Sequence, residues 1–181
     1  MSIEEAFTHL PSFNTERLLV RPMEVSDVDA LFAIKSDSRV TGAYGAEPHY
    51  SIEETRRWVE GIQPNASGQR GSLFWVLVLK GEERAIGSCC YWHFDWGSRW
   101  AELGYELRRS HWGKGIMTEA LAPVLAYGFE GVRLNRVEAC PMAENVASNA
   151  ILLKLGFKHE GSPDSGSSSE ADLLTSTTTV F

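Results

Sequence analysis

Residues Leu73–Leu79 read Leu-Phe-Trp-Val-Leu-Val-Leu, seven apolar strand formers with no polar position among them. A run of this kind marks a central strand. Lys80–Arg84 turns the chain, Ala85–Trp92 returns as its partner, and after a turn at Trp96-Gly97 the segment Trp100–Leu107 makes a third strand. Before this meander, Arg17–Met23 reads as a short first strand closed by Pro22. Ser26 reads as the N-cap of a helix to about Lys35, and Ser51-Ile-Glu-Glu54 has capping-box spacing for a second. Thr41–Tyr50 and Asn65–Gly71 read as loops. After the meander come a helix from about Gly115 to Phe129, a strand over Leu134–Cys140, and a helix from Asn145 to Leu155 ended by Gly156. Phe157–Glu160 begins another strand. Ser162–Glu170, five of whose nine residues are Ser, reads as a loop, and the β-branched segment Asp172–Phe181 as a final edge strand or frayed tail. A meander followed by strand–helix–strand–helix is a mixed α/β or α+β arrangement.

The 181 residues suit one domain with a single sizeable core. A net charge of −7 argues against a surface that holds nucleic-acid phosphate. Three cysteines, two of them the neighbours Cys89 and Cys90, make no disulfide framework, and neither a CxxC pair nor a Cys/His cluster offers a metal site. The acidic start MSIEEAFTHLPSFN does not read as a secretory signal, and no apolar run reaches the ~18–20 residues that span a bilayer. The expectation is a cytoplasmic protein with neither membrane nor nucleic-acid partner.

Chemistry concentrates in Glu102–Glu119, ELGYELRRSHWGKGIMTE. A strand runs into Trp112-Gly113-Lys114-Gly115, and a helix begins at once. Glycines at such a junction let backbone N–H groups converge on an anion, where the helix start adds about half a positive charge. Arg108, Arg109 and Lys114 add three cations within seven residues, so the site is sized for a pyrophosphate. A tight turn that uses glycine only for backbone freedom is the plainer reading of the pair alone. Neither a Walker A loop nor a Rossmann fingerprint fits, because Arg108 and Thr118 stand where those patterns need glycine.

An ordered set of segments resembles the GNAT acetyltransferase superfamily, in its Rim-type ribosomal-protein N-terminal acetyltransferase branch. They are Thr15–Arg21, Ile86-Gly87, Ala101–Leu107, Trp112–Leu121, Leu134–Ala139, Glu144–Asn149, Leu155–Lys158 and Glu160-Gly161. The likeness spans about Thr15–Gly161 within a single domain of residues 1–181. It implies a mixed central sheet with splayed strands flanked by helices, and acetyl transfer from acetyl-coenzyme A to a primary amine by direct attack. It further implies that Trp112, Gly113, Lys114, Gly115, Ile116, Met117 and Thr118 cradle the coenzyme pyrophosphate beside Arg108 and Arg109. Tyr105, Glu106 and Leu107 would pair with the pantetheine arm, and a backbone N–H near Leu107 would hold the oxyanion. Gly104 would be a bulge that splays the strand. Asn145 would bond the cofactor, and Ser148, on the same face, would protonate or orient the departing thiolate. Glu102 is the leading base through water, with Glu106 and Glu138 behind it.

Protonation at pH 7 costs an α-amine with pKa near 8 about 1.4 kcal/mol, and a lysine about 4.6 kcal/mol. A water-mediated base therefore suits an α-amine, in keeping with the branch. Trp92, Trp96 and Trp100 crowd one hairpin; core packing accounts for such residues, and an aromatic substrate wall is the sharper reading. His93 and His111 read as surface or hydrogen-bonded histidines; Cys140 ends a strand near the expected thioester, and a small buried residue explains it equally well. Ser110 stands where the superfamily often has Gln or Arg, and Pro123 falls inside a helix, where it predicts a kink. Residues 162–181 depart from the branch where an Arg-containing aromatic hairpin usually covers the substrate. Two alternatives follow: acetylation of a small amine or amino-acid conjugate, and a non-catalytic acyl-coenzyme A sensor. The family also admits a homodimer.

Overall fold

The computed structural model describes residues 9–62, 71–161 and 173–177. Eight strands form one sheet: β1 (Phe13–Asn14), β2 (Leu18–Pro22), β3 (Leu73–Leu79), β4 (Ala85–Asp95), β5 (Trp100–Leu107), β6 (Arg136–Ala139), β7 (Lys158–Gly161) and β8 (Leu173–Thr177). Their spatial order is β1-β2-β3-β4-β5-β6-β8-β7. All pairings are antiparallel except β5 with β6. The helices are α1 (Val28–Lys35), α2 (Ser38–Thr41), α3 (Ile52–Gly61), α4 (Ile116–Glu130) and α5 (Val146–Lys154).

Helices on both faces explain why β3 has no polar position. Leu73, Trp75 and Leu77 enter the larger core with Tyr91, Leu103, α4 residues Ala120, Leu121 and Val124, and Leu152 of α5. Val76 and Val78 enter a second core with Val28 and Leu31 of α1 and Val59 of α3. The two-residue strand period sends alternate side chains to opposite layers, and each layer buries them.

Several expectations change in detail. Helix α1 starts at Val28 because Asp27, not Ser26, organises the entry. The buried Asp27 carboxylate accepts from Glu24 N–H at 2.9 Å and from the Arg21 guanidinium at 2.7 and 2.8 Å. Ser51 caps α3, accepting from Glu54 N–H at 3.2 Å. The first part of the supposed Thr41–Tyr50 loop is helical, as a 3-10 turn over Gly42–Tyr44. Pro123 lies within α4, which runs on to Glu130. The final strand is present as β8, yet it sits between β6 and β7 and is not an edge. The Asn65–Gly71 loop, save Gly71, and the Ser162–Glu170 loop lie outside the described residues.

Candidate active site

The pairing of β5 with β6 holds at Trp100, Ala101 and Glu102, opposite Arg136, Val137 and Glu138, and stops there. Strand β6 ends at Ala139, whereas β5 continues to Leu107 against β4 alone. The sheet therefore opens at Glu102, leaving one side of Leu103–Leu107 without a strand partner among the described residues. This opening does not come from a bulge at Gly104, which pairs in regular register with Cys90. A Cβ there would meet Cys90 Sγ at 3.0 Å, so close contact across the pair accounts for the glycine.

Below the opening, β5 runs through a 3-10 turn (Arg109–His111) into the glycine loop. The Trp112 indole N–H donates to Leu107 O at 2.7 Å and ties the loop to the strand. Gly113 and Gly115 have φ of 72° and 73°, a region costly for other residues. Gly115 precedes α4 without any side-chain cap, so the first-turn N–H groups keep their donor capacity for an anion. Arg17 donates to Lys114 O at 2.9 Å and to the Glu119 carboxylate at 2.6 Å, which also accepts from the Thr15 hydroxyl at 2.6 Å. These bonds anchor the first turn of α4 to the chain entering β2. Beside the loop lies a groove of about 520 Å³ whose lining includes Ile34, Arg39, Val40, Arg108, Arg109 and Ser110. Burial, then Lys114 and Arg108, lowers the proton affinity of His111.

Strand alternation sends Glu102, Gly104 and Glu106 toward α1 and Tyr105 toward α5. Glu102, half-buried, meets His93 Nδ1 at 2.9 Å. Glu106 is buried and its carboxylate is fully engaged: Lys35 Nζ at 3.2 Å, the Tyr44 hydroxyl at 2.8 Å and the Ser88 hydroxyl at 3.0 Å. Glu138 accepts from Arg136 at 2.6 Å. On the opposite face the Tyr105 and Ser148 hydroxyls stand 2.6 Å apart, and burial pushes the Tyr105 phenol up to about 12. Asn145 caps α5 by accepting from Ser148 N–H at 3.0 Å, while its amide N–H₂ donates to Ala43 O at 2.8 Å.

The sequence pattern of the acetyltransferase (GNAT) domain matches residues 17–158. The chain belongs to the GNAT acetyltransferase family. The N-acetyltransferase p20 of Bacillus licheniformis is 36% identical over 147 residues, covering 81% of this chain and 82% of that one. The ribosomal-protein-serine acetyltransferase of Escherichia coli (strain K12) is 32% identical over 111 residues, 61% of this chain and 60% of that one. In fold, the chain resembles RimL, a ribosomal L7/L12 alpha-N-protein acetyltransferase solved in complex with coenzyme A. The TM-score is 0.80 at 21% identity, covering 92% of this chain and 98% of that one. The molecule is an acetyl-coenzyme A-dependent N-acetyltransferase, with acetyl-coenzyme A as cosubstrate and coenzyme A as product.

Among GNAT features expected from the sequence, the open edge of β5, the glycine loop and the Arg108/Arg109 wall adjoin one another. Ser148 joins Tyr105 rather than standing alone. Asn145 is committed to the chain's own bonds through both ends of its amide, leaving one donor and one acceptor site for anything else. Of the three tryptophans, Trp92 flanks Glu102 on the paired strand. Trp96 instead stacks on Phe94 at 4.5 Å and packs against the larger core. Trp100 pairs with Asp95 across the turn between β4 and β5. Sequence reasoning missed Lys35, Tyr44 and Ser88, which converge on Glu106 from 71, 62 and 18 residues away. It also missed the pairing of His93 with Glu102. Regular strand alternation hides that pairing, because it sends His93 to the face opposite Trp92, the residue that pairs with Glu102.

Proposed function

We propose that this enzyme acetylates the α-amine of a protein or peptide N-terminus, in a reducing cytoplasm that suits its three free cysteines. The observation that carries this reading is the opening of the sheet at Glu102. It sets a carboxylate on one face and the Tyr105–Ser148 hydroxyl pair on the other, beside an uncapped helix start. Acetyl-coenzyme A supplies an activated thioester when bound. Gly113–Thr118 and the neighbouring Arg108 and Arg109 hold its phosphates, and the open edge of Leu103–Leu107 receives its arm by strand-like pairing. Glu102 is the acidic centre toward which the acceptor ammonium is drawn and where its proton is lost. Ser148, bonded to Tyr105, orients the departing thiolate by a hydrogen bond or passes it a proton that bulk water restores to the serine, and the Tyr105 phenol, held to about 12, stays protonated throughout the working range.

Two arguments favour an N-terminus over a lysine or polyamine. An α-amine needs about 3 kcal/mol less to deprotonate at pH 7 than a lysine side chain. The ribosomal-protein-serine acetyltransferase, named for a protein substrate, is also among the relatives. The test is thiol release from acetyl-coenzyme A with a panel of peptides differing in first residue, N-blocked lysine peptides, and small polyamines. Turnover confined to free N-termini supports the proposal; turnover confined to polyamines or small amines overturns it.

A further inference from the structure

Strand β4 departs from regular geometry where it passes the opening. Its register against β5 breaks between Trp92 and Asp95, and His93 takes a φ of 48°. A non-glycine residue in this region is uncommon, and histidine is among those that tolerate it best. In a regular strand Trp92 and His93 would point to opposite faces. Here their rings lie stacked, with centroids 4.1 Å apart and planes 15° apart. The backbone distortion thus turns His93 back onto the face of Trp92, where its Nδ1 reaches Glu102 Oε2 at 2.9 Å. Strained backbone at a site of this kind is held there by its surroundings and points to use.

The contact fixes the chemistry of the ring. An ionised carboxylate only accepts hydrogen bonds, so Nδ1 carries the proton and the lone pair of neutral His93 lies on Nε2. Nε2 has no partner among the described residues, and the His93 side chain is 61% exposed against 19% for Glu102.

We propose that the His93 imidazole, oriented by Glu102, is the atom group that takes the proton from the acceptor ammonium. The inference rests on the reaction read above and assigns the atom that its acidic centre uses. Through one water, an ammonium N–H bond breaks, its electron pair stays on the amine nitrogen, and the Nε2 lone pair forms the new N–H bond. Nδ1 keeps its proton and donates it in a hydrogen bond to Glu102, whose charge balances the imidazolium. Nε2–H then passes its proton to bulk water, restoring the neutral ring and carboxylate. The other groups near Glu102 leave this role open to His93. Glu138 is paired with Arg136, and Cys140, exposed rather than buried, has its thiol pushed up to about 11 by partial desolvation, followed by Glu102 and Glu138.

Two measurements test the assignment. In the first, kcat and KM are followed from pH 6 to 9 with the best acceptor peptide for the wild type, His93→Asn and His93→Ala. Asparagine tolerates the same backbone conformation and can still bond Glu102, so it preserves a purely structural contact. The expected result is a loss in kcat of about 100-fold at pH 7 for both variants, with the KM for acetyl-coenzyme A unchanged. The deficit should shrink as pH approaches the amine's own pKa, and added imidazole should restore turnover in His93→Ala. Wild-type turnover and pH profile in His93→Asn, or no response of His93→Ala to imidazole, overturns the proposal. The second measurement needs no turnover: nitrogen-15 spectra of the ring in wild type and Glu102→Gln. An Nδ1–H tautomer that depends on Glu102 supports the pair, and an Nε2–H tautomer in the wild type overturns it. Absence of turnover on every amine would instead refute the reaction itself, leaving the spectra to judge the pair.

Discussion

Glu106 shows what a single carboxylate can be committed to. It is only 7% exposed, so its charge depends on Lys35, Tyr44 and Ser88 for stabilisation. Lys35 Nζ also sits 4.1 Å from the centroid of the Trp58 ring, which joins α1 and α3 to the same cluster. Removing one partner of a buried pair leaves the other charge stranded, at a cost of roughly 3–5 kcal/mol. Lys35→Met should therefore lower unfolding stability in urea by about 3 kcal/mol, and Tyr44→Phe by about 1 kcal/mol. A neutral Lys35→Met would mean that Glu106 takes its stability from the two hydroxyls alone. With its lone pairs occupied in this way, Glu106 is better placed to lock β5 against α1 than to accept the substrate's proton. Ser148 and Tyr105 form the complementary pair. Ser148→Ala and Tyr105→Phe should each reduce kcat by about tenfold, and the double variant should fall little further, because the two hydroxyls act as one donor. Multiplied losses in the double variant would show that they act independently.

At the scale of elements, the glycine loop owes its form to what surrounds it. Trp112 ties it to β5, Arg17 ties it to the entry of β2, and the positive φ of Gly113 and Gly115 lets the chain enter α4. Replacing both glycines with alanine strains two left-handed positions, at about 1 kcal/mol each, and tilts the first N–H groups of α4. The expected outcome is a rise of about tenfold in the KM for acetyl-coenzyme A with kcat little changed; a fall in kcat alone would place the loop's role elsewhere. This loop was readable from the sequence because Trp112, Gly113 and Gly115 lie within a few residues of one another, whereas its tie to Arg17, 97 residues from Lys114, was not. Strands β3 and β5 were readable too, and their observed spans are those of the apolar run and the third meander strand. The cap at Asn145 was legible as a helix start, but not its bond to Ala43, 102 residues away. Nor could local pattern reveal that β8 inserts between β6 and β7, since strand order depends on pairing partners distant in sequence. The His93–Glu102 contact was hidden for another reason: a reading that assumes regular alternation sends Trp92 and His93 to opposite faces.

The molecule as a whole holds several weak acids out of water. Burial is the main cause in each case. Cys90 is pushed up to about 12, with Glu106 contributing next, and Tyr105 also to about 12. Cys89 and Tyr91 are also raised by burial, each helped by a neighbouring thiol. In the unfolded chain these groups titrate near 8.5 for thiols and 10 for phenols. The folded values are raised, so the stabilisation is fully present below the unfolded values and is lost as pH climbs toward the folded ones. From about pH 9 the unfolded state sheds protons that the fold retains, and two buried thiols alone remove up to about 2.7 kcal/mol of stability per pH unit. The net charge of −7 grows more negative over the same range and acts in the same direction. The urea midpoint should therefore be level from pH 7 to 8.5 and fall steeply between pH 9 and 11, with a shallower fall in Cys90→Ala. Constant stability to pH 11 would mean that the two thiols ionise as readily inside the sheet as outside it. The same window bears on catalysis. A loss of rate above pH 9 belongs to the core, while the limb that reports proton removal from the acceptor lies below it, where the fold is intact.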